Sequence, residues 1–361
     1  MLKASGCITV SLVDGGGHVS TVVSKPQPPW WFGCQEITPG SSPPAHPTGL
    51  TPGPAKSVSS NRAYWWDGTR LRWIDRGGSI GSADLSVPDQ VAVEFAVSPD
   101  DTRIVITEID FRKSPLHRTT WVEDLGSHAH KSVLFDAVLS GGNITSAGWP
   151  WGWHAGNPVL YDYPLCITGG GDQFFALNHP RVVDPATGNQ LVTFPDCYGG
   201  TITDGGVFCT TSPSASDNPF TARALDWIDW SGKQIRRWPL PYQTVACQSD
   251  LNPAHTTILA NCQPNIYTQP AGADTHQREI VFGTGPQLPA GIANYPVRWL
   301  DNDLVLVPGQ RATGAVSSDS YCPGCPLYAN TIAVWSLNSQ KQVANPVDVP
   351  GNEIGRFAPG T

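Results

Sequence analysis

Three tryptophans in one short stretch are the residues best suited to ligand binding. Trp149, Trp151 and Trp153 alternate along a run that ends at His154. Alternate residues of a regular β-strand lie on the same face, so the pattern predicts one aromatic face. Flat aromatic rings stack on sugar rings and grip the side chains of a protein partner. We therefore predict a ligand site at these four residues, although alternation leaves open that the same face packs in a core.

A second pattern could carry acid–base chemistry. His154 is followed, on the strand expected to lie next to it, by Asp162 with Tyr161 and Tyr163 on either side. A paired acid and base is what glycoside hydrolysis requires. The sequence has no nucleophile motif, metal-ligand spacing or phosphate-binding loop. We therefore predict no catalytic residue, no metal site and no cofactor, and expect ordinary hydrogen-bonded strand residues here.

The nine cysteines bear on the cellular compartment. Six of them flank predicted turns, at the separation that a disulfide across a hairpin or tight turn needs. The predicted disulfides are Cys197–Cys209, Cys247–Cys262 and Cys322–Cys325. Disulfides persist in oxidising compartments, so we expect an exported protein, extracellular or periplasmic, whose signal segment is not present in this chain. The pairing of Cys7, Cys34 and Cys166 stays open.

Charge and hydropathy exclude two classes of partner. The chain has 22 basic and 30 acidic residues, a formal net charge of -8, and its Lys and Arg are scattered. Nucleic-acid binding needs clustered cations that displace counterions from phosphates, so we expect no nucleic-acid partner. No apolar run reaches about eighteen residues, which predicts no membrane span within the chain. The expected partner is a protein or a glycan, and the chain could be a fragment of a longer or membrane-tethered protein.

The elements that must position these residues follow from a repeat of turns. Short alternating apolar runs are folded back at Gly, Asp, Asn or Ser turns spaced by about fifty residues. One series falls at residues 14–16, 76–78, 126–127, 187–189, 231–232, 283–285 and 338–339, and a second series interleaves with it. A strand repeat of this length is typical of a β-propeller, whose four-stranded blades bury their faces against their neighbours.

Two segments carry a resemblance to a known group. The turn Ser98-Pro99-Asp100-Asp101 resembles the Ser-Pro-Asp-Gly turn of WD40-like and TolB-type propeller repeats, and residues 184–188 resemble their Asp-x-x-Thr-Gly hairpin. The resemblance implies a propeller used as a rigid binding platform, with no catalytic residues to carry over.

Together these patterns predict an all-β fold with seven four-stranded antiparallel blades, six or eight being the alternatives. Residues 1–361 form one propeller domain with a Pro/Gly/Ser-rich loop at 39–60, and strands from 8–23 and 355–361 share the blade that closes the ring. The predicted function is an exported non-catalytic binding module that recognises protein or glycan. The alternative is a carbohydrate-active enzyme, a glycoside hydrolase or lyase, with its site in the central channel.

Overall fold

The fold is known from a computed structural model, and it is all-β. The residues that the structure describes are 7–13, 19–26, 56–66, 70–85, 87, 91–110, 113, 116–139, 148–162, 178–195, 197–203, 205–211, 221–245, 248–252, 254, 257–262, 265–270, 278–279, 298–316, 326–339 and 341–348. The predicted loop at 39–60 lies largely outside them. Among the described residues, no helix has the length and apolar character that a membrane crossing requires.

The described strands separate into two compact units, and the first contains β3 to β18. Its first two sheets each have four strands. They are β3 (Lys56–Val58), β4 (Arg62–Trp66), β5 (Leu71–Asp75) and β6 (Ile80–Ala83), followed by β7 (Val91–Val97), β8 (Arg103–Asp110), β9 (Leu116–Asp124) and β10 (Ser132–Leu139). Every pairing in these two sheets is antiparallel between strands consecutive in the chain.

The remaining strands of the first unit form one eight-stranded sheet with two halves. One half is β11 (Trp149–His154), β12 (Asn157–Asp162), β13 (Asn178–Val183) and β14 (Gln190–Thr193). The other half is β15 (Tyr198–Thr203), β16 (Gly206–Thr211), β17 (Thr221–Ile228) and β18 (Gln234–Val245). A single residue pair, Asn178 with Tyr198, joins the two halves.

The second unit contains β1 (Cys7–Val13), most of β2 (Val19–Pro26), and β19 to β26. β1 and β2 form a two-stranded sheet. The four-stranded sheets are β19 (Gln248–Leu251), β20 (Thr257–Cys262), β21 (Asn265–Pro270) and β22 (Arg278–Glu279), then β23 (Arg298–Trp299), β24 (Leu304–Val316), β25 (Pro326–Ser336) and β26 (Lys341–Asp348). Asn302 accepts a 2.7 Å hydrogen bond from the Ala254 backbone, which ties these two sheets together at their turns.

The predicted blade type is confirmed, whereas the predicted number of blades is wrong. The described residues form five sheets of four or more strands, because the pair between β13 and β15 merges two four-stranded groups into one sheet. The predicted ring closure cannot be compared, since residues 355–361 lie outside the described residues. The prediction of one domain over residues 1–361 stays a prediction.

The predicted turn at Ser98 forms as the sequence indicates. The Ser98 hydroxyl accepts hydrogen bonds from the backbone N–H groups of Thr102 and Arg103, at 3.2 and 2.9 Å. It also donates at 2.6 Å to Asp100, and this bond holds the pKa of the Asp100 carboxyl below its usual value. The turn is therefore held by side chains within it, as Ser and Asp turns commonly are.

In the first unit, sheets are held together by packing between their faces. The β3–β6 and β7–β10 sheets enclose a cluster centred on Tyr64, Phe95 and Trp121. A second cluster, which includes Val105 and Leu160, lies between β7–β10 and the β11–β14 half. A third lies between the two halves of the eight-stranded sheet. This face-to-face burial between consecutive four-stranded groups is how propeller blades are stabilised.

Candidate functional site

The predicted tryptophan face does not form, because β11 contains a β-bulge. Trp149 lies opposite Tyr161 on β12, and Trp153 lies opposite Pro158, but Trp151 has no partner in the ladder. The pairing register shifts between Pro150 and Gly152 to accommodate this extra residue. One inserted residue breaks the two-residue alternation, so Trp149 and Trp153 fall on opposite faces of the sheet.

Two of the three tryptophans are core residues. Trp153 is 7% exposed and packs with Leu160 between β11–β14 and β7–β10, where its Nε1 donates a 2.9 Å hydrogen bond to the Ala96 carbonyl. Trp149 is 2% exposed, and its Nε1 is buried without a hydrogen-bond partner. Both side chains therefore stabilise the packing of the blades and present no ring to a ligand.

Trp151 points toward the other half of the sheet. Its ring meets Tyr161 edge to face, with 6.2 Å between the ring centroids. It packs against the third cluster, which contains Val159 and Phe194. Trp151 is half-buried.

His154 ends β11 beside a tryptophan from the neighbouring half. Its imidazole stacks on the indole of Trp230, with the centroids 4.1 Å apart and the planes 11° from parallel. Phe194 meets the same indole edge to face at 6.1 Å. His154 and Trp230 are both half-buried, and burial lowers the pKa of His154. We call Trp151, His154, Phe194 and Trp230 the His154 cluster.

Trp230 was not among the predicted site residues. It lies in the turn between β17 and β18, and His154 directly precedes the turn between β11 and β12. The two interleaved series of turns could have identified Trp230 from the sequence. Hairpin turns of both series lie at the same end of neighbouring blades, so residues next to these turns come close together. The spacing of Trp230 from its turn at 231–232 then matches that of His154 from its turn at 155–156.

One predicted disulfide is confirmed, and it lies in the core beneath the His154 cluster. Cys197 and Cys209 are bonded, with 4.8 Å between their Cα atoms, and both are fully buried with Phe194. For the other two predicted bridges, Cys247, Cys322 and Cys325 lie outside the described residues, as do Cys34 and Cys166. Cys262 lies in β20, and Cys7 begins β1.

The residues considered for acid–base chemistry are not brought together. His154 pairs with Asn157 at one end of the β11–β12 hairpin, whereas Asp162 lies at the other end and pairs with Asn178. Asp162 instead accepts a 2.8 Å hydrogen bond from Arg181. Tyr163 lies outside the described residues. Among the residues that are described, no group of three or more His, Cys, Asp or Glu side chains is placed to hold a metal ion.

Comparison with known proteins gives structural likeness only. No family model matches the chain, and no curated protein matches it. An oligogalacturonate lyase in complex with manganese has a TM-score of 0.49 at 12% identity, covering 81% of this chain and 80% of its own. The Cps50 (Swd1) β-propeller domain of Myceliophteria thermophila has a TM-score of 0.43 at 9% identity, covering 83% of this chain and 88% of its own.

The Pan2 WD40 domain of Neurospora crassa has a TM-score of 0.39 at 9% identity, covering 82% of this chain and 74% of its own. At such identities, function does not transfer between proteins that share a fold. The assignment of this chain rests on its own strands, which run consecutively along the sequence and pair antiparallel in groups of four. With the Ser98–Asp101 turn formed, this topology gives the chain the four-stranded antiparallel blades of a β-propeller fold.

Proposed function

We propose that the protein is an exported binding module that recognises a protein or a glycan through the His154 cluster. The observation that carries the proposal is the parallel stack of His154 on Trp230, two half-buried rings contributed by neighbouring parts of the sheet. Rings of this kind offer a large contact area at a small cost in conformational entropy. Half-buried rings are also held in place by the core behind them.

A buried core supports the cluster from behind. Trp151 and Trp230 pack against a buried core that contains Phe194, Val159 and the Cys197–Cys209 disulfide. A binding surface fixed before the ligand arrives loses less entropy on binding than a mobile one. We assign the contact role to Trp151, His154 and Trp230, while Trp149 and Trp153 support the strand from which His154 projects.

Export is part of the proposal, and the buried disulfide supports it. Disulfides in proteins of this size are retained in oxidising compartments, such as the extracellular space or the bacterial periplasm. Cys197 and Cys209 are both fully buried, as expected of a structural bridge rather than a reactive pair.

A carbohydrate-active enzyme is not proposed as a second function. That alternative depended on an acid and a base within reach of one another, and the strand register places His154 and Asp162 at opposite ends of their hairpin. Binding without chemistry therefore has the better support from the described residues.

The experiment compares variants of the full chain on a glycan array and against an array of extracellular protein domains. We expect wild-type protein to bind at least one class of probe, and Trp230→Ala to weaken that binding about tenfold or more, as hot-spot aromatics do. Trp73→Ala is the matched control, because Trp73 is also half-buried but lies on β5, where Arg62 covers its ring at 4.2 Å.

Each outcome of this experiment supports or rejects a stated part of the proposal. Loss of binding in Trp230→Ala with retention in Trp73→Ala supports the proposed site. Equal binding by all three proteins rejects the His154 cluster as the contact surface, and the absence of binding to every probe rejects the proposed function.

A further inference from the structure

His154 differs from the other described histidines in having no acidic neighbour. Each of the others has a ring nitrogen 2.6 to 3.9 Å from a carboxylate oxygen, in the pairs His117–Asp136, His128–Glu123, His130–Asp124 and His179–Asp162. The ring of His154 instead stacks on Trp230. Among the residues that the structure describes, no group forms a hydrogen bond with either ring nitrogen of His154. Both nitrogens can therefore bond to a ligand.

The imidazole of His154 is uncharged at neutral pH. Burial alone lowers its pKa, and no ionised group of the described residues contributes to the shift. A neutral imidazole has one ring nitrogen that donates a hydrogen bond and one that accepts a hydrogen bond. His154 therefore offers both kinds of hydrogen bond, without a charge, beside the indole of Trp230.

Trp151 adds a second polar group on the same side of β11. It packs against the third cluster, and so does Trp230, on which His154 stacks. The Nε1 of Trp151 donates no hydrogen bond within the described part of the chain, whereas the Nε1 of Trp153 is bonded to the Ala96 carbonyl. The His154 cluster therefore combines apolar rings with uncharged hydrogen-bonding groups, and none of its members has a charge at neutral pH.

We propose that the ligand of the His154 cluster is a neutral glycan, whose sugar rings pack on the aromatic side chains while their hydroxyl groups bond to His154 and Trp151. This inference rests on the proposed binding function of the same cluster. A sugar ring has an apolar face of C–H groups that suits aromatic rings, and its hydroxyls both donate and accept hydrogen bonds. A charged peptide or an acidic sugar fits less well, because the cluster has no charge to pair with a desolvated ionised group.

Calorimetric titration of the full chain with oligosaccharides tests the glycan assignment. The neutral probes are cellotetraose, chitotetraose, maltotetraose and mannotetraose, and the acidic probe is a hyaluronan tetrasaccharide. We expect at least one neutral probe to bind more tightly than the acidic probe. His154→Phe keeps a ring to stack on Trp230 but removes both ring nitrogens, so it should weaken that binding about tenfold through the lost hydrogen bonds. A ligand that only packs on the rings would bind this variant as well as the wild type.

The matched control is His117→Phe, because His117 is also half-buried but lies on β9 in another sheet. It should bind the neutral probe as the wild type does, and a melting curve on each variant shows that it is folded. Full binding by a folded His154→Phe protein, or no neutral probe tighter than the acidic one, overturns the glycan assignment. The proposed binding function then still stands if Trp230→Ala loses binding to a protein domain, and it fails as well if Trp230→Ala binds every partner as the wild type does.

Discussion

The hydroxyl of Tyr64 on β4 donates a 2.8 Å hydrogen bond to Asp101, which connects the first sheet to the Ser98–Asp101 turn of the second. Burial raises the pKa of Tyr64, so its hydroxyl stays protonated and remains a donor at ordinary pH. Asp101 has a φ of 61°, in the left-handed region that favours glycine. It stands where the repeats that this turn resembles carry glycine, and the hydrogen bond gives a reason for an aspartate there.

This relationship predicts different costs for two substitutions of Asp101. Both Asp101→Gly and Asp101→Ala remove the bond to Tyr64, but only alanine keeps a side chain in the left-handed conformation. We expect Asp101→Ala to be less stable than Asp101→Gly by about 1 kcal/mol, measured by urea unfolding. Tyr64→Phe should cost about 1 kcal/mol in the wild type and much less in Asp101→Gly. Equal stability of the two Asp101 variants would show that the backbone there is unstrained.

The β-bulge predicts that the tryptophans of β11 differ in their importance for stability. Trp153→Ala should lower the free energy of unfolding by about 3 to 5 kcal/mol, because it leaves a cavity between two sheets and removes the bond to Ala96. Trp151→Ala should cost less, since Trp151 is half-buried. Chemical denaturation of both variants measures the difference. A larger loss for Trp151→Ala would contradict the described register.

The buried disulfide predicts a measurable contribution to stability. Cys197 and Cys209 are 12 residues apart, and closing a loop of that length stabilises the fold by about 3 kcal/mol or less. Replacing both with alanine should lower the melting temperature and, because the bridge lies behind Phe194, also weaken ligand binding at the His154 cluster. Peptide mapping without reduction should recover the linked pair. Recovery of both as free thiols from exported material would contradict it.

The pKa of His154 predicts a pH dependence of stability. Burial lowers this pKa below the ordinary 6.5, so the unfolded chain takes up the proton first as the pH falls. The contribution to stability is thus fully present above about pH 6.5 and is lost as the pH falls through the folded-state pKa. Unfolding free energies measured at pH 7 and pH 5 should show this loss.

The matched variant is His154→Phe, which keeps an aromatic ring on Trp230 and cannot titrate. It should lose less stability than the wild type between pH 7 and pH 5. Every other ionisable group is common to both proteins, so the difference between them isolates His154. An identical pH dependence in the two proteins would show that the environment of His154 leaves its pKa unchanged.

The amino-acid sequence by itself determined the local structure of this protein. Alternating apolar runs predicted strands, and residues such as Ser98 predicted the turns, because side-chain hydrogen bonds within a few residues decide them. The hairpin around residues 203–206 likewise brought Cys197 and Cys209 within reach of a disulfide. Each of these features depends on contacts between residues near one another in the chain, and a sequence displays such contacts directly.

The tertiary structure decided which side chains meet across sheets. A bulge depends on how one strand pairs with another, so the sequence could not show that Trp151 would be the extra residue and turn Trp153 to the opposite face. The merging of two blades through Asn178 and Tyr198 is a pairing of the same kind. The stack of His154 on Trp230 joins residues distant in the chain, whose proximity is set by the packing of whole sheets.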